Sequence, residues 1–223
     1  MEYPTQKLIE LAYAAYRVNK GYEKSTRRYS EDQPTTFSNK ELIAFTAHSD
    51  WKPEDFEPLK ITQEDLDAKA AGDKHMRRYT MLAMGNLSQF ESDIFAAYSS
   101  EKTQIGRVGL IAYLPEFIER ELQNKIYKQR LKSEFANSKH IEGVVEGKCE
   151  ILKVLTLARD FEEPFYMHFG AIDGNLVCFA RKEGFAEGVT YNIKAKVKGQ
   201  DKERETGLPM TRINYVKLRK TEV

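Results

Sequence analysis

Residues 163–181, EPFYMHFGAIDGNLVCFAR, form two apolar and aromatic runs separated by Asp173-Gly174. The runs have the composition of strands, and an Asp-Gly pair supplies the residues that a tight hairpin turn favours. A β-hairpin is therefore expected here. Upstream, EGVVEGKCEILKVLTLARD (142–160) reads as a long first strand, with Val145, Gly147, Cys149, Ile151 and Val154 on one buried face and a bend or bulge near a glycine. Downstream, KEGFAEG leads to TYNIKAKVK (190–198), where Lys194, Lys196 and Lys198 alternate with Ile193, Ala195 and Val197. The loop GQDKERETGLP then leads to a last strand, MTRINYVKL (210–218). Five strands in about eighty residues, the first one long and the third-to-fourth link short, predict a small Greek-key barrel of the OB type. Other small five-stranded barrels fit the same pattern.

Before about His140 the apolar period is 3.6 rather than 2, so the chain is expected to be α+β: a helical region over 1–139 and a barrel over 140–223. Leu8, Leu11, Ala12, Ala15 and Val18 predict a helix over 5–18, with Thr5 as its N-cap and Gly21 just past its end. A polar loop follows, and SNKE opens a short helix from about Asn39. Residues 50–60 form an irregular connector broken by Pro53 and Pro58 and anchored by Trp51 and Phe56. From Thr62 to Ser100 the pattern is helical, interrupted near Gly72 and Gly85, with TQED and SQFE as restarts. A further helix is expected over 106–133, with Pro115 opening or kinking it.

The totals exclude several classes. Lys and Arg number 35 against 34 Asp and Glu, so no bulk charge draws the chain to phosphate or to an anionic membrane, and any electrostatic role must come from local clustering. Cys149 and Cys178 lack the paired spacing of a zinc site or a disulfide framework and read as buried free thiols of a reducing cytoplasm. No apolar run approaches the roughly 20 residues that span a bilayer, and the N-terminus does not read as a signal peptide, so a soluble, cytoplasmic protein is expected. Phosphate-loop, dinucleotide, nucleophile-elbow and HExxH patterns are missing. Asp160, Glu162 and Glu163 cluster after the first strand, where solvating a turn is the simpler role than holding a metal. Neither enzymatic activity nor a cofactor is expected.

What remains is aromatic and basic residues interleaved on short strands, the combination that holds unpaired nucleotides by stacking and phosphate contacts. In an OB barrel the second and third strands supply the binding face, and the loops after the first and fourth strands close over it. The candidates are Tyr166, His168, Phe179 and Arg181 on the hairpin, Lys194, Lys196 and Lys198 on the fourth strand, and Lys202, Arg204 and Arg212 beyond it. Asp201, Glu203 and Glu205 alternate with the last group and oppose it. The competing reading makes the aromatics core, His168 a structural histidine and the lysines a guard against edge-to-edge association.

The segment YMHFGAIDGNLVCFARKEGFAEGVTYNIKAKVKG, continued by TGLPMTRINYVKL, resembles the C-terminal barrel of a group of bacteriophage-encoded proteins associated with DNA replication or single-stranded DNA binding. The matching residues are His168, Asp173, Gly174, Asn175, Phe179, Gly188, Tyr191, Lys194, Val197, Lys198, Thr211 and Arg212, and GRVGLIAYLPEFIEREL looks like the helix that precedes that barrel. Phe179 stands where a tryptophan is expected, and DKERETGLP is more charged than the usual hairpin. The resemblance implies a non-enzymatic single-stranded DNA-binding protein of phage replication or recombination, working in the host cytoplasm. The alternative is an adaptor whose helical region recruits replication or recombination proteins, and a metal-dependent nuclease is a more distant rival.

Overall fold

The computed structural model describes residues 1–27, 35–48, 52, 53, 56–82, 87–157 and 165–219. Trp51, Gly85 and the acidic group Asp160, Glu162 and Glu163 lie outside the described residues. The chain divides into two compact units, Met1–Leu122 and Gln123–Val223.

In the first unit a short strand β1 (Glu2–Pro4) leads directly into α1 (Thr5–Asn19). Thr5 is not the cap expected of it: it is the first helical residue, buried, with its hydroxyl 2.8 Å from that of Thr103. Lys20, at φ 54°, ends the helix in the left-handed region, where its N–H and that of Gly21 satisfy the carbonyls of Arg17 and Tyr16. α2 (Asn39–Ala47) and α4 (Gln89–Ser99) both start on full capping boxes, Ser38 with Glu41 and Ser88 with Glu91. Between them, α3 (Gln63–Leu82) passes Gly72 without interruption. The glycine is there for packing, because a Cβ would fall 1.9 Å from the Tyr13 hydroxyl.

β2 (Lys102–Gln104) pairs antiparallel with β1, a two-stranded sheet that periodicity did not reveal. α5 (Val108–Glu134) then runs through Pro115 as one helix. Leu8, Ile9, Ala12, Ile43, Met76, Ile111 and Leu114 form the centre of this unit's core, each large aliphatic side chain contributing roughly 1.5–3 kcal/mol by its burial. Val18, predicted for the apolar stripe, is instead 51% exposed.

The second unit holds β3 (Val144–Leu157), β4 (Phe165–Ile172), β5 (Asn175–Arg181), β6 (Thr190–Lys202) and β7 (Pro209–Leu218). They close into a barrel in the order β3-β4-β5-β7-β6, with β5 and β7 parallel and every other pair antiparallel. This is OB-like topology on an α+β chain. β3 is long because it serves two partners: its first half pairs with β6 and its second half with β4, and Cys149 faces both Ile172 and Tyr191. The bulge that bends it lies between Ile151 and Lys153, not at a glycine. Gly170 permits the close crossing, since a Cβ there would sit 2.7 Å from the Glu150 carbonyl oxygen. Asp173 and Gly174, at φ 47° and 76°, make the tight turn that the sequence predicts.

Inside the barrel lie Val145, Cys149, Ile151, Ile172, Val177, Phe179, Phe185, Ile193, Ala195 and Ile213. Outside, Leu131 and Phe135 at the end of α5 cover Ala171, Leu176, Cys178 and Met210. Ser138 fastens this corner by accepting the Leu176 N–H at 2.9 Å and donating to the Pro209 carbonyl at 2.8 Å. Among the described residues, no helix is long and apolar enough to cross a membrane.

Candidate nucleic-acid interface

An open groove of about 960 Å³ lies on the outer surface of the barrel. Its floor follows from the pairing of β4 with β3 and β5. Successive side chains of a strand point to opposite faces, so Phe165, Met167 and Phe169 share the outward face of β4. Opposite them on β3 stand Leu157, Leu155 and Lys153, and on β5 Ala180 and Cys178 face Met167 and Phe169. Phe165, Leu155 and Leu157 remain 37%, 40% and 44% exposed, an apolar strip left open to solvent. Tyr127 of α5 closes one end, with the Lys153 ammonium 5.0 Å from its ring centroid and hydrogen-bonded to Asn124.

The opposite wall is the β6–β7 hairpin, which brings Lys198, Lys202, Arg204 and Arg212 to the groove together with Asp201, Glu203 and Glu205. The acids do not cancel the cations one for one, because Asp201 and Glu205 are taken up in ion pairs and Glu203, which keeps its charge, is buried against its own loop. Asp201 pairs with Arg212, whose hydrogen bond holds it below the ordinary carboxylate range. Glu203 is buried and turned into its own loop, where one oxygen accepts the N–H groups of Glu205 and Thr206 and the Thr206 hydroxyl at 3.0, 2.7 and 2.8 Å. Glu205 pairs with Lys128 at 2.6 Å. Lys198, Lys202 and Arg204 make no ion pair among the described residues and leave the wall positive.

Of the residues singled out from the sequence, Lys198, Lys202, Arg204 and Arg212 line the wall of this groove, Phe179 touches its floor from the core, and the others are placed elsewhere. His168 is fully buried on the inward face of β4, its Nε2 accepting the Phe185 N–H at 2.9 Å, and burial lowers its pKa. Phe179 reaches the groove floor but is 2% exposed and belongs to the core. Tyr166 shares the inward parity of His168 and packs beside Gly184. Arg181 lies over the Phe185 ring at 4.6 Å and pairs with Glu183. Lys194 pairs with Glu146 at 2.7 Å, and Lys196 is exposed away from the groove lining. The hairpin aromatics chosen from the sequence and the alternating lysines therefore do not form one surface.

The surface that does exist uses the other parity of β4, and Phe165, Met167, Phe169, Leu155, Leu157, Lys153 and Tyr127 were not among the candidates. The signal was present in FYMHF, where both faces are apolar or aromatic. Alternation along β4 ties the parity of Ile172 to that of His168, so a buried Ile172 turns Phe165, Met167 and Phe169 outward. Among the described residues, no group of three or more His, Cys, Asp or Glu side chains is placed to hold a metal ion.

No family model, no curated protein and no solved structure matches this chain. The barrel itself is of a kind found among nucleic-acid-binding folds in general.

Proposed function

We propose that this protein binds single-stranded DNA, without catalysing a reaction on it, in phage DNA replication or recombination. The observation that carries the reading is the groove: an open apolar and aromatic floor on β4, facing a wall on which Lys198, Lys202 and Arg204 lack ion-pair partners among the described residues. Bases stack on such a floor while cations follow the phosphates, and the groove occupies the face that OB barrels use for oligonucleotides. The phage context comes from the sequence resemblance alone.

The test is a fluorescence anisotropy titration with labelled single-stranded oligonucleotides at increasing salt. Three phosphate contacts predict that the logarithm of affinity falls against the logarithm of salt with a slope of about −2. Absence of salt-dependent binding would refute the reading.

A second reading, an adaptor that recruits replication enzymes, is favoured by the near balance of 35 basic and 34 acidic residues, which gives the chain no bulk attraction to phosphate, and Phe90, 49% exposed on α4, is the side chain to test for it. Co-precipitation of purified replication proteins without DNA, lost on Phe90→Ala, would favour it.

A further inference from the structure

Tyr215 is held in a conformation that side chains avoid. Its φ of 53° lies in the left-handed region within strand β7, where a residue other than glycine or asparagine carries strain. The register shows why the backbone turns. Asn214 pairs with Lys196 and Lys217 with Lys194, so Tyr215 and Val216 together face the single residue Ala195 in a bulge. Val216 packs against the barrel core. Tyr215 is thrown outward and is 74% exposed. Such strain persists only where the surroundings impose it, and it gathers at functional positions. The aromatic ring adds exposed apolar surface on top of that strain.

The outward side chains around it are basic. Lys194 and Arg219 both reach Glu146, at 2.7 and 3.3 Å, so the one nearby carboxylate on β3 is occupied. Lys196 and Lys217 make no ion pair among the described residues. The patch also continues from the groove. Asn214, which precedes Tyr215, lines the groove, as does Lys198, two residues from Lys196. Arg212 and Tyr215 are three residues apart, about 10 Å along a strand.

We propose that a single strand leaving the groove crosses the outer face of the β6–β7 pair over Tyr215, whose ring stacks on an unpaired base while Lys196 and Lys217 hold the neighbouring phosphates. This rests on the groove being the primary site and extends it into a longer track. The patch suits an unpaired nucleotide because it combines one flat exposed ring with Lys196 and Lys217, which make no ion pair among the described residues, on either side. The αL bulge leaves that ring 74% exposed, open to a stacking base.

The experiment compares two labelled oligothymidylates, one of about 5 nucleotides and one of about 15, which bracket the site sizes of such barrels. Tyr215→Ala is expected to leave the affinity for the short oligonucleotide unchanged and to weaken the long one roughly tenfold. Tyr215→Phe keeps wild-type affinity for both. Tyr215→Gly, which suits the left-handed position, melts no lower than wild type, so its expected loss of long-oligonucleotide affinity reports on the ring and not on folding. Equal affinity of wild type and Tyr215→Ala for the long oligonucleotide, with Arg204→Ala weakening both lengths, would overturn the extended track and leave the groove standing. Failure of the wild-type protein to bind either length would overturn the groove reading and this proposal with it.

Discussion

His168 lies stacked on Phe179 inside the barrel, ring centroids 4.9 Å apart and planes 12° from parallel. Both rings are core: burial favours the neutral imidazole, and its Nε2 accepts the Phe185 N–H. Phe179→Ala should therefore destabilise the barrel by about 3–5 kcal/mol, the cost of emptying a buried aromatic site. Urea unfolding measures it. Tyr166→Ala, at a half-buried position beside Gly184, should cost clearly less.

The same histidine gives the barrel an acid sensitivity. Burial lowers its folded pKa, so the unfolded chain takes up the proton first. The stability it confers is complete above the ordinary imidazole value of about 6.5 and is lost as pH falls from there through the folded value. His168→Gln, which keeps an acceptor but cannot titrate, should flatten the dependence of Tm on pH in that window. An unchanged slope would show that the proton goes elsewhere.

How far the sequence could be followed depended on which face of a strand each residue took. The strand count, the Asp173-Gly174 turn and the capping residues Ser38 and Ser88 are local signals, and the structure bears them out. The closure of β5 beside β7 is a long-range pairing, legible only because few topologies bury five such strands. The parity of β4 was not legible within FYMHF itself and needed Ile172 at the end of the strand to set it. Phe165, Tyr166, Met167, His168 and Phe169 offer an apolar or aromatic side chain to both faces, so alternation could not choose between them. Outside the barrel, β1 and β2 are three residues each and too short to show any period. The pairing of Glu203 with its own loop also depends on three-dimensional proximity, which is why three alternating acids looked as if they neutralised the hairpin.

Those engaged acids predict an uneven effect of charge removal. Lys198→Ala, Lys202→Ala and Arg204→Ala should each lower the salt slope of oligonucleotide binding by about 0.7, one phosphate's share. Lys194→Ala should leave binding to a short oligonucleotide as it is, because its partner is Glu146 and it lies outside the groove lining. Phe165→Ala, by removing an exposed ring from the floor, should weaken binding by about 1–3 kcal/mol with little change in unfolding. Equal effects from Lys194→Ala and Lys198→Ala would show a diffuse field in place of a groove.

The two cysteines should be inert in the folded protein. Both are buried, and burial pushes the Cys149 thiol up to about 12 and raises that of Cys178 as well. The thiolate is the reactive form. A chromogenic disulfide reagent at pH 8 should titrate neither thiol until denaturant is added, and then both. Prompt reaction of one native thiol would point to Cys178, which borders the groove.

Arg17 and Asp65 hold α1 to the start of α3 through a two-point ion pair, Nε to Oδ1 at 2.8 Å and Nη2 to Oδ2 at 3.1 Å. Asp65 also accepts the N–H and hydroxyl of Thr62, at 2.8 and 2.9 Å. Burial alone would raise the carboxyl pKa, but these hydrogen bonds and the guanidinium charge outweigh it and hold the group below its usual range. The contribution is thus complete above about pH 4, the unfolded value, and is lost as pH falls through the lower folded one. Asp65→Asn keeps the shape and surrenders the charge. Because Arg17 is one-third exposed and screened by water, the loss at neutral pH should be about 1–2 kcal/mol, the lower part of the range for hydrogen bonds to charged groups. Unfolding followed by helix signal should show that deficit at pH 7 and a smaller one below pH 4. A deficit that persisted undiminished into acid would mean that shape at this junction, and not charge, is what fastens the two helices.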